Sequence, residues 1–246
     1  MRKILLLIVR MIGVAGLGLD RTCLAEEPIS LYYYERPPYM VAHQDGSASG
    51  TTADLAGKAF ARAGVAFHWS LMPAKRQLAT IQRNEGRDCG VGWFKNPERE
   101  AGGQFSHPIY RDKPPVAIVR GGFATRNESL AQLLQQPGVQ VLVKEGLTYG
   151  GYINGLLKTT KAKVTSITVE QPQLVRMVAA GRADMMFAPR EEADFLVTTH
   201  ESGQDSVQVL SFSDVPSGDQ RYLYCSRRID SATMAKLNAA IDQIAP

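Results

Sequence analysis

Short apolar segments alternate along most of the chain with segments of helical periodicity. In 51–64, Leu55, Ala59 and Ala63 recur at the spacing of one helix face, and Gly64 ends the pattern. The pattern predicts strands at 29–35, 65–72, 89–94, 114–120, 139–144, 163–169, 184–188 and 222–226. It predicts helices at 51–64, 73–84, 128–136, 149–158, 171–181, 189–197 and 231–243. This alternation favours α/β layers with mainly parallel sheets, which bind ligands beyond the carboxyl ends of their strands.

One predicted strand ends in two aromatic residues and is followed by a single arginine, in "GVGWFKNPEREAGGQFSHPIY". The segment has two interpretations. It is an ordinary strand followed by a solvated charge, or it is one wall of a ligand pocket. In the second interpretation, Trp93 and Phe94 are the walls and Arg99 binds an anion, because a planar guanidinium can bond both oxygens of a carboxylate.

The first 25 residues have the pattern of a secretory signal peptide. Arg2 and Lys3 precede an apolar run, and small residues follow near "CLA". The run is shorter than the roughly 20 apolar residues that span a membrane. We expect cleavage after Ala25. Lipidation of Cys23 is the alternative, although "DRTC" lacks the small and apolar residues expected before a lipidated cysteine.

Removal of residues 1–25 changes the charge of the protein. The full chain has a net charge of +4, and this segment contributes +3 of it, which leaves +1 on the remaining 221 residues. A nucleic-acid partner is therefore not expected, because no basic surface remains to release counterions. The remaining length suits two lobes of roughly 100 residues each, or one large domain.

Signatures of catalysis are missing from the sequence. The four histidines lack metal-ligand spacing, and there is no Cys-x-x-Cys, phosphate-binding loop or Gly-x-Ser-x-Gly motif. We therefore expect no cofactor, no metal and no enzymatic activity. Cys89 and Cys225 either pair in an oxidising compartment or remain two buried thiols.

The ordered motifs resemble the periplasmic solute-binding proteins of the polar amino-acid class, family 3. They are "ERPPYM", "GTTADLA", "WSLMP", "DCGVGWFKNPER", "FSHPIY", "VKEGLTYG", "GRADMMF" and "LYCSRRIDSATMAKLNAAI". The resemblance implies two α/β lobes with central mixed sheets, the type II fold, joined by a hinge of two crossing strands. Lobe 1 would comprise 26–112 plus 219–246, and lobe 2 would comprise 113–218. Two Pro-rich stretches, "HPIYRDKPP" and "DVPSGDQ", are candidate crossings on sequence grounds alone.

The resemblance also implies ligand contacts in the first lobe. Gly92, Trp93 and Phe94 match a strand that lines the cleft, and Arg99 matches an arginine that grips a ligand carboxylate. Trp93 and Phe94 could equally belong to the core.

Further contacts follow from the same resemblance. Tyr39 matches an aromatic wall, and Glu35 could accept a hydrogen bond from a cationic ligand or lie on the surface. Arg76 is a second anion contact or part of a solvated helix face. Thr148 and Tyr149 match a hydroxyl-bearing helix N-terminus, where free N–H groups favour anions, although Thr148 could simply cap the helix.

One position departs from the family pattern. Shortly after "GRADMMF", the family's amino-acid binders carry an aspartate that holds the ligand's ammonium. Pro189 stands there in this chain, followed by Arg190, a candidate ligand contact that would attract a second anionic group if its side chain turned inward. Glu191 or Glu192 could substitute or could be exposed. We therefore expect a ligand with more anionic or neutral-polar character than a standard amino acid.

The sequence predicts an exported, monomeric receptor in the periplasm. It would capture a small, polar, carboxylate-bearing ligand and deliver it to the membrane permease of an ABC transporter. One alternative is a dehydratase-like enzyme on the same scaffold, with Glu35 or Glu191 as its acid or base. Another is a ligand-sensing module.

The export prediction can be checked by mass. Protein recovered from the cell envelope should have the intact mass of a chain that begins at Glu26. A full-length or lipid-modified mass would contradict it.

Overall fold

The computed structural model describes residues 26–125, 128–199 and 206–244. Residues 1–25, where the signal peptide is predicted, lie outside the described residues. Within those ranges, no helix is both long enough and apolar enough to cross a membrane.

Every strand and helix that the pattern predicts is present, and the described residues also form four strands and one short helix that it does not predict. The strands are β1 Ile29–Tyr33, β2 Val41–Ala42, β3 Ala48–Ser49, β4 Phe67–Leu71, β5 Asp88–Trp93, β6 Gln104–Arg111, β7 Val116–Arg120, β8 Gln140–Lys144, β9 Lys163–Ile167, β10 Met185–Ala188, β11 Val207–Leu210 and β12 Gln220–Cys225. The helices are α1 Thr51–Ala63, α2 Ala74–Arg83, α3 Pro97–Gly102, α4 Leu130–Leu134, α5 Gly150–Thr159, α6 Gln171–Ala179, α7 Arg190–Thr198 and α8 Ser231–Ile241.

The sheet of the first lobe has the strand order β4-β1-β5-β12-β6. β4, β1 and β5 are parallel, and β12 runs antiparallel to both of its neighbours. Its main core lies where β1 and β12 meet α1 and α8, around Leu31, Phe60, Leu223 and Leu237, each with 0% of its surface exposed. The sheet is therefore mixed, and its parallel strands end at a common edge.

The sheet of the second lobe has the order β11-β7-β10-β8-β9. β10, β8 and β9 are parallel, and β7 is antiparallel to β10 and β11. One face packs on Leu133 of α4 and Ile153 of α5, and the other on Leu174 of α6 and Leu196 of α7. Helices thus cover both faces of this sheet.

The apolar pattern does not predict β6. Its sequence contains His107 and Pro108, which interrupt strand periodicity. β6 is an edge strand, where proline is tolerated because one side of the strand needs no ladder hydrogen bonds.

The two cysteines of the described chain lie opposite each other on β5 and β12. Cys89 and Cys225 are register partners in this antiparallel pair, and both are fully buried. Their sulfur atoms are bonded at 2.05 Å.

The chain passes between the lobes after β6 and again before β12. The two crossings are bonded to each other at this point. Asp112 N–H donates to Asp219 O (3.1 Å), and Gly218 N–H donates to Asp112 O (3.1 Å). A Cβ on Gly218 would lie 2.6 Å from the Cβ of Asp112, so this close approach requires glycine.

A buried ion pair between side chains joins Asp112 of the first crossing to Arg221 of β12, directly after the second crossing. Arg221 donates from Nε to Asp112 Oδ1 (2.6 Å) and from Nη2 to Oδ2 (2.7 Å), with 1% and 5% of the two side chains exposed. Its third nitrogen donates to Gly92 O (3.2 Å). The guanidinium carbon lies 4.1 Å from the Tyr39 ring centre and 4.5 Å from that of Phe94. The arginine is thus bonded at its edges and stacked on aromatic rings.

Removing one partner of this pair should be costly. Asp112→Asn leaves the Arg221 guanidinium buried without a counter-ion, so we expect the free energy of unfolding to fall by about 3–5 kcal/mol in denaturant titrations. The double variant Asp112→Leu/Arg221→Met buries no charge and should recover much of the loss. A single variant as stable as the parent would contradict this prediction.

Candidate ligand-binding site

A cavity of about 470 Å³ lies between the lobes. That volume lies within the range of small-molecule sites, roughly 300–1,000 Å³. Its walls come from residues 91–94 at the end of β5, 146–153 before and within α5, 188–189 at the end of β10, and 215–219 in the second crossing. The cavity therefore lies beyond the carboxyl ends of parallel strands of both lobes, as expected for α/β sheets.

The end of β5 supplies an aromatic wall. Gly92 has φ +76°, a conformation that favours glycine, and it lines the cavity together with Trp93 and Phe94. Trp93 is mostly buried, and its Nε1 donates to Gln77 Oε1 (3.3 Å). Core residue and cavity wall are the two interpretations of these aromatics, and both hold for Trp93: it belongs to the core and also lines the cavity.

Arg99 lies at the cavity on the short helix α3. Asn96 caps this helix by accepting a hydrogen bond from Arg99 N–H (2.8 Å). The side chain donates from Nη1 to Phe94 O (2.7 Å), and its guanidinium carbon is 4.7 Å from the Trp93 ring centre. Burial lowers the pKa of Arg99, but an arginine stays charged in proteins. Among the described residues, it forms no ion pair.

The second lobe presents the N-terminus of α5 to the cavity. Thr148, Tyr149 and Gly150 all line it. The Thr148 hydroxyl accepts from Asn154 Nδ2 (2.6 Å) instead of capping α5, and Tyr149 is held because its hydroxyl accepts from Lys144 N–H (2.7 Å). The first N–H groups of a helix carry partial positive charge, so this wall also favours an anion.

The start of α7 presents apolar atoms to the cavity. Ala188 and Pro189 line it, and Pro189 is the N-cap residue of α7. Arg190 is directed elsewhere: its Nε donates to Asp194 Oδ1 (2.9 Å), and its Nη1 donates to Ser211 Oγ (3.1 Å). The predicted attraction of Arg190 for a second anionic group does not fit this position.

Glu191 of α7 contacts the first lobe. Its carboxylate accepts hydrogen bonds from Tyr110 Oη (2.5 Å), Tyr39 Oη (3.2 Å) and Lys113 N–H (3.2 Å). Burial acts to raise the pKa of Glu191, but these hydrogen bonds outweigh it and lower the pKa below its usual value. Glu191 thus links the lobes in its ionised form.

Glu192 makes a second link beside it. Arg36 donates from Nη2 to Glu192 Oε2 (2.9 Å), and both side chains are largely buried. Arg36 follows β1 in the first lobe and lines the cavity, so this ion pair closes one side of the cavity.

Besides Arg190, three of the predicted contacts lie outside the cavity lining. Tyr39 is fully buried beneath the Arg221 guanidinium. The exposed Glu35 accepts from Ala42 N–H (2.7 Å) within its own lobe. Arg76 is exposed on α2. These positions support the interpretation of Glu35 and Arg76 as surface residues. Tyr39 supports the cavity from below, through its contact with Arg221.

A family model described as bacterial extracellular solute-binding proteins, family 3, matches residues 31–245. The chain belongs to this family. The resemblance carried by the ordered motifs is thereby confirmed. No curated protein sequence gives a significant match.

Solved structures with the same fold include proteins that bind amino acids. An ancestral arginine-binding protein bound to arginine has a TM-score of 0.66 at 19% identity, covering 88% of this chain and 91% of that one. An ancestral amino acid-binding protein, a precursor of cyclohexadienyl dehydratase, has a TM-score of 0.66 at 19% identity, covering 88% of each chain. The VFT2 domain of Bordetella pertussis BvgS, as a double mutant, has a TM-score of 0.65 at 20% identity, covering 89% of this chain and 87% of that one. The predicted two-lobed periplasmic binding protein fold is confirmed.

Sequence reasoning missed four charged residues of this solute-binding protein. Arg36, Asp112, Asp219 and Arg221 all line the cavity. Asp112 and Asp219 belong to the two Pro-rich crossings, and their position between the lobes is the feature of the sequence that could have identified them as cavity residues. Nothing local indicates that Arg221, at the start of an apolar strand, pairs with a residue 109 positions earlier. Within the described residues, no cluster of His, Cys, Asp and Glu is placed to hold a metal ion.

The interlobe contacts of Glu191 predict a pH effect. Its lowered pKa means that the ionised form stabilises the fold fully above the ordinary glutamate pKa of about 4.3, and that this contribution is lost as the pH falls through the lowered value. Thermal unfolding of Glu191→Gln should therefore occur a few degrees below the parent at neutral pH, and the difference should shrink on acidification.

Glu35→Gln is the matched control, because Glu35 bonds only within the first lobe. It should show no such pH-dependent difference. A Glu191→Gln variant with the melting temperature of the parent at every pH would contradict the prediction.

Proposed function

We propose that the protein is an exported receptor that captures a small carboxylate-bearing ligand between its lobes. One observation carries the proposal: Arg99, a half-buried cation without an ionic partner among the described residues, lines the interlobe cavity. A ligand carboxylate would supply the missing counter-charge. Charge-assisted hydrogen bonds of this kind contribute about 1.5–3 kcal/mol each.

The opposite wall of the cavity also favours a negatively charged ligand group. Gly150 and Gly151 at the start of α5 belong to the second lobe, and their backbone lines the cavity. An anion bound by Arg99 and by these N–H groups would touch both lobes at once. Such contacts exist only when the lobes are together, so they would shift the protein toward its closed form.

Export and transport complete the proposal. A signal peptide ending at Ala25 would direct the chain to the periplasm, and the mature protein would divide into lobe 1 (26–112 plus 219–246) and lobe 2 (113–218). The closed, ligand-bound monomer would deliver its ligand to an ABC-type permease. Membership of an extracellular solute-binding family supports this assignment.

An enzyme on this scaffold is the second candidate. A precursor of cyclohexadienyl dehydratase shares the fold, but the two acids considered for this role are engaged elsewhere. Glu35 bonds Ala42 N–H, and Glu191 accepts hydrogen bonds from Tyr39 and Tyr110 of the first lobe and from Lys113 N–H. The contacts of both acids favour binding over catalysis.

Arg99→Ala tests the receptor proposal. With the carboxylate of a bound ligand left unpaired, the dissociation constant of a carboxylate found by thermal-shift screening should rise about 30- to 1,000-fold in calorimetry. The melting temperature without ligand should change little, because among the described residues the one hydrogen bond of the Arg99 side chain is that to Phe94 O.

Arg99→Lys is the matched variant, because it keeps the charge and loses the planar fork. Its affinity should fall between those of the parent and the alanine variant. Equal affinity in all three proteins would reject Arg99 as the carboxylate contact.

A further inference from the structure

Three of the five charged side chains that line the cavity are neutralised in ion pairs. Within the described chain, the acidic and basic side chains of the lining are Arg36, Arg99, Asp112, Asp219 and Arg221. Arg221 and Asp112 neutralise each other at 2.6 Å and 2.7 Å. Arg36 is neutralised by Glu192 at 2.9 Å, just outside the lining. One cation, Arg99, and one anion, Asp219, are left for a ligand.

Asp219 is held in position by its backbone while its carboxylate stays available. Its carbonyl accepts from Asp112 N–H (3.1 Å), which pins the residue to the other crossing. In the part of the chain that the structure describes, its carboxylate has neither a hydrogen-bond partner nor an ion-pair partner. An acid that is fixed in place yet unpaired in a cavity can accept hydrogen bonds from a ligand.

Asp219 and Arg99 lie at the same edge of the first sheet. β12 begins directly after Asp219, and Tyr222 of β12 is the register partner of Trp93, the last residue of β5. The Arg99 guanidinium stacks on that same Trp93. The two unpaired charges therefore belong to neighbouring strand ends, and one small ligand could reach both.

A helix-capping role for Asp219 fits the geometry less well. Its Oδ2 lies 3.6 Å from the position that a Cβ on Gly150 would occupy, so the carboxylate is near the start of α5. A capping carboxylate would accept a hydrogen bond from the first N–H groups of the helix, and among the described residues Asp219 accepts none. The solvent-exposed carboxylate stands beside the helix terminus without a protein partner among the described residues.

We propose that Asp219 binds a cationic group of the ligand. This inference rests on the proposed function: the ligand would carry a carboxylate for Arg99 and a protonated amine or guanidinium for Asp219. A buried ammonium needs an acceptor, and the lining offers this carboxylate at the start of β12, while the wall at the start of α7 is apolar at Ala188 and Pro189. The sequence-based expectation of a more anionic or neutral-polar ligand weighed Glu35, Glu191 and Glu192 but not the crossing segment, and the present proposal differs from it.

The test uses two pairs of probes that differ only by an amine. The pairs are leucine with 4-methylpentanoate and 5-aminopentanoate with pentanoate, titrated by calorimetry into the parent, Asp219→Asn and Arg99→Ala. In at least one pair, the parent should bind the amine-bearing member at least tenfold more tightly. Asp219→Asn should abolish that preference and leave the affinity for the amine-free member nearly unchanged. Arg99→Ala should weaken both members.

Two further variants serve as controls. Asp54→Asn removes an exposed acid of α1, outside the cavity lining, and should keep the preference, as should the conservative Asp219→Glu. The proposal is overturned if the parent does not favour the amine-bearing member of either pair, or if Asp219→Asn weakens both members equally. If these results occur while Arg99→Ala still weakens carboxylate binding, the proposed receptor function stands. If no carboxylate binds the parent, both proposals fail.

Discussion

The buried ion pair between Arg221 and Asp112 is the interaction on which the rest of the site depends. Asp112 lies in the first crossing between the lobes and Arg221 lies in β12, directly after the second crossing, so the pair ties together the two connections from which any lobe motion must start. The same guanidinium bonds Gly92 O and stacks on Tyr39 and Phe94. Such an assembly is stable only when both charges are present, because either one alone would be buried without compensation. The hinge and the cavity floor are therefore a single unit.

This unit also determines which charges a ligand meets. Because Arg221 and Asp112 neutralise each other, and Arg36 is neutralised by Glu192, most charges at the cavity serve to hold the protein together. Arg99 and Asp219 are the exceptions among the described residues. The same separation of roles explains α7: its two glutamates, Glu191 and Glu192, bond the first lobe, while Ala188 and Pro189 just before the helix line the cavity. The side chains that link the two lobes directly are thus different from the side chains left to contact a ligand.

The parts of the site that could be predicted lie in two short segments, 92–99 and 148–149. Gly92, Trp93, Phe94 and Arg99 lie within eight residues, and a strand, a turn and one helical turn suffice to bring them to one wall. Arg190 shows where such reasoning fails. Its place in the sequence suggested a cleft contact, but Asp194, one helical turn later, and Ser211 provide partners on the other side of α7. Rotation about the helix axis decides which residues face a cavity, and packing sets that rotation.

The sequence by itself determined the alternation of strands and helices, because local periodicity encodes it, and the resemblance of its ordered motifs to family 3 predicted the two-lobed fold and the wall around Arg99. Only the tertiary structure decided which charges are paired. Arg221 and Asp112 are 109 residues apart, and Arg36 and Glu192 are 156 apart, so no local pattern marks them as partners. Asp219 is a candidate ligand contact because the other acid of the cavity lining, Asp112, is neutralised by Arg221 and Asp219 is not. A charged side chain can bind a ligand ion only if the protein does not already neutralise it, and the whole fold decides whether it does.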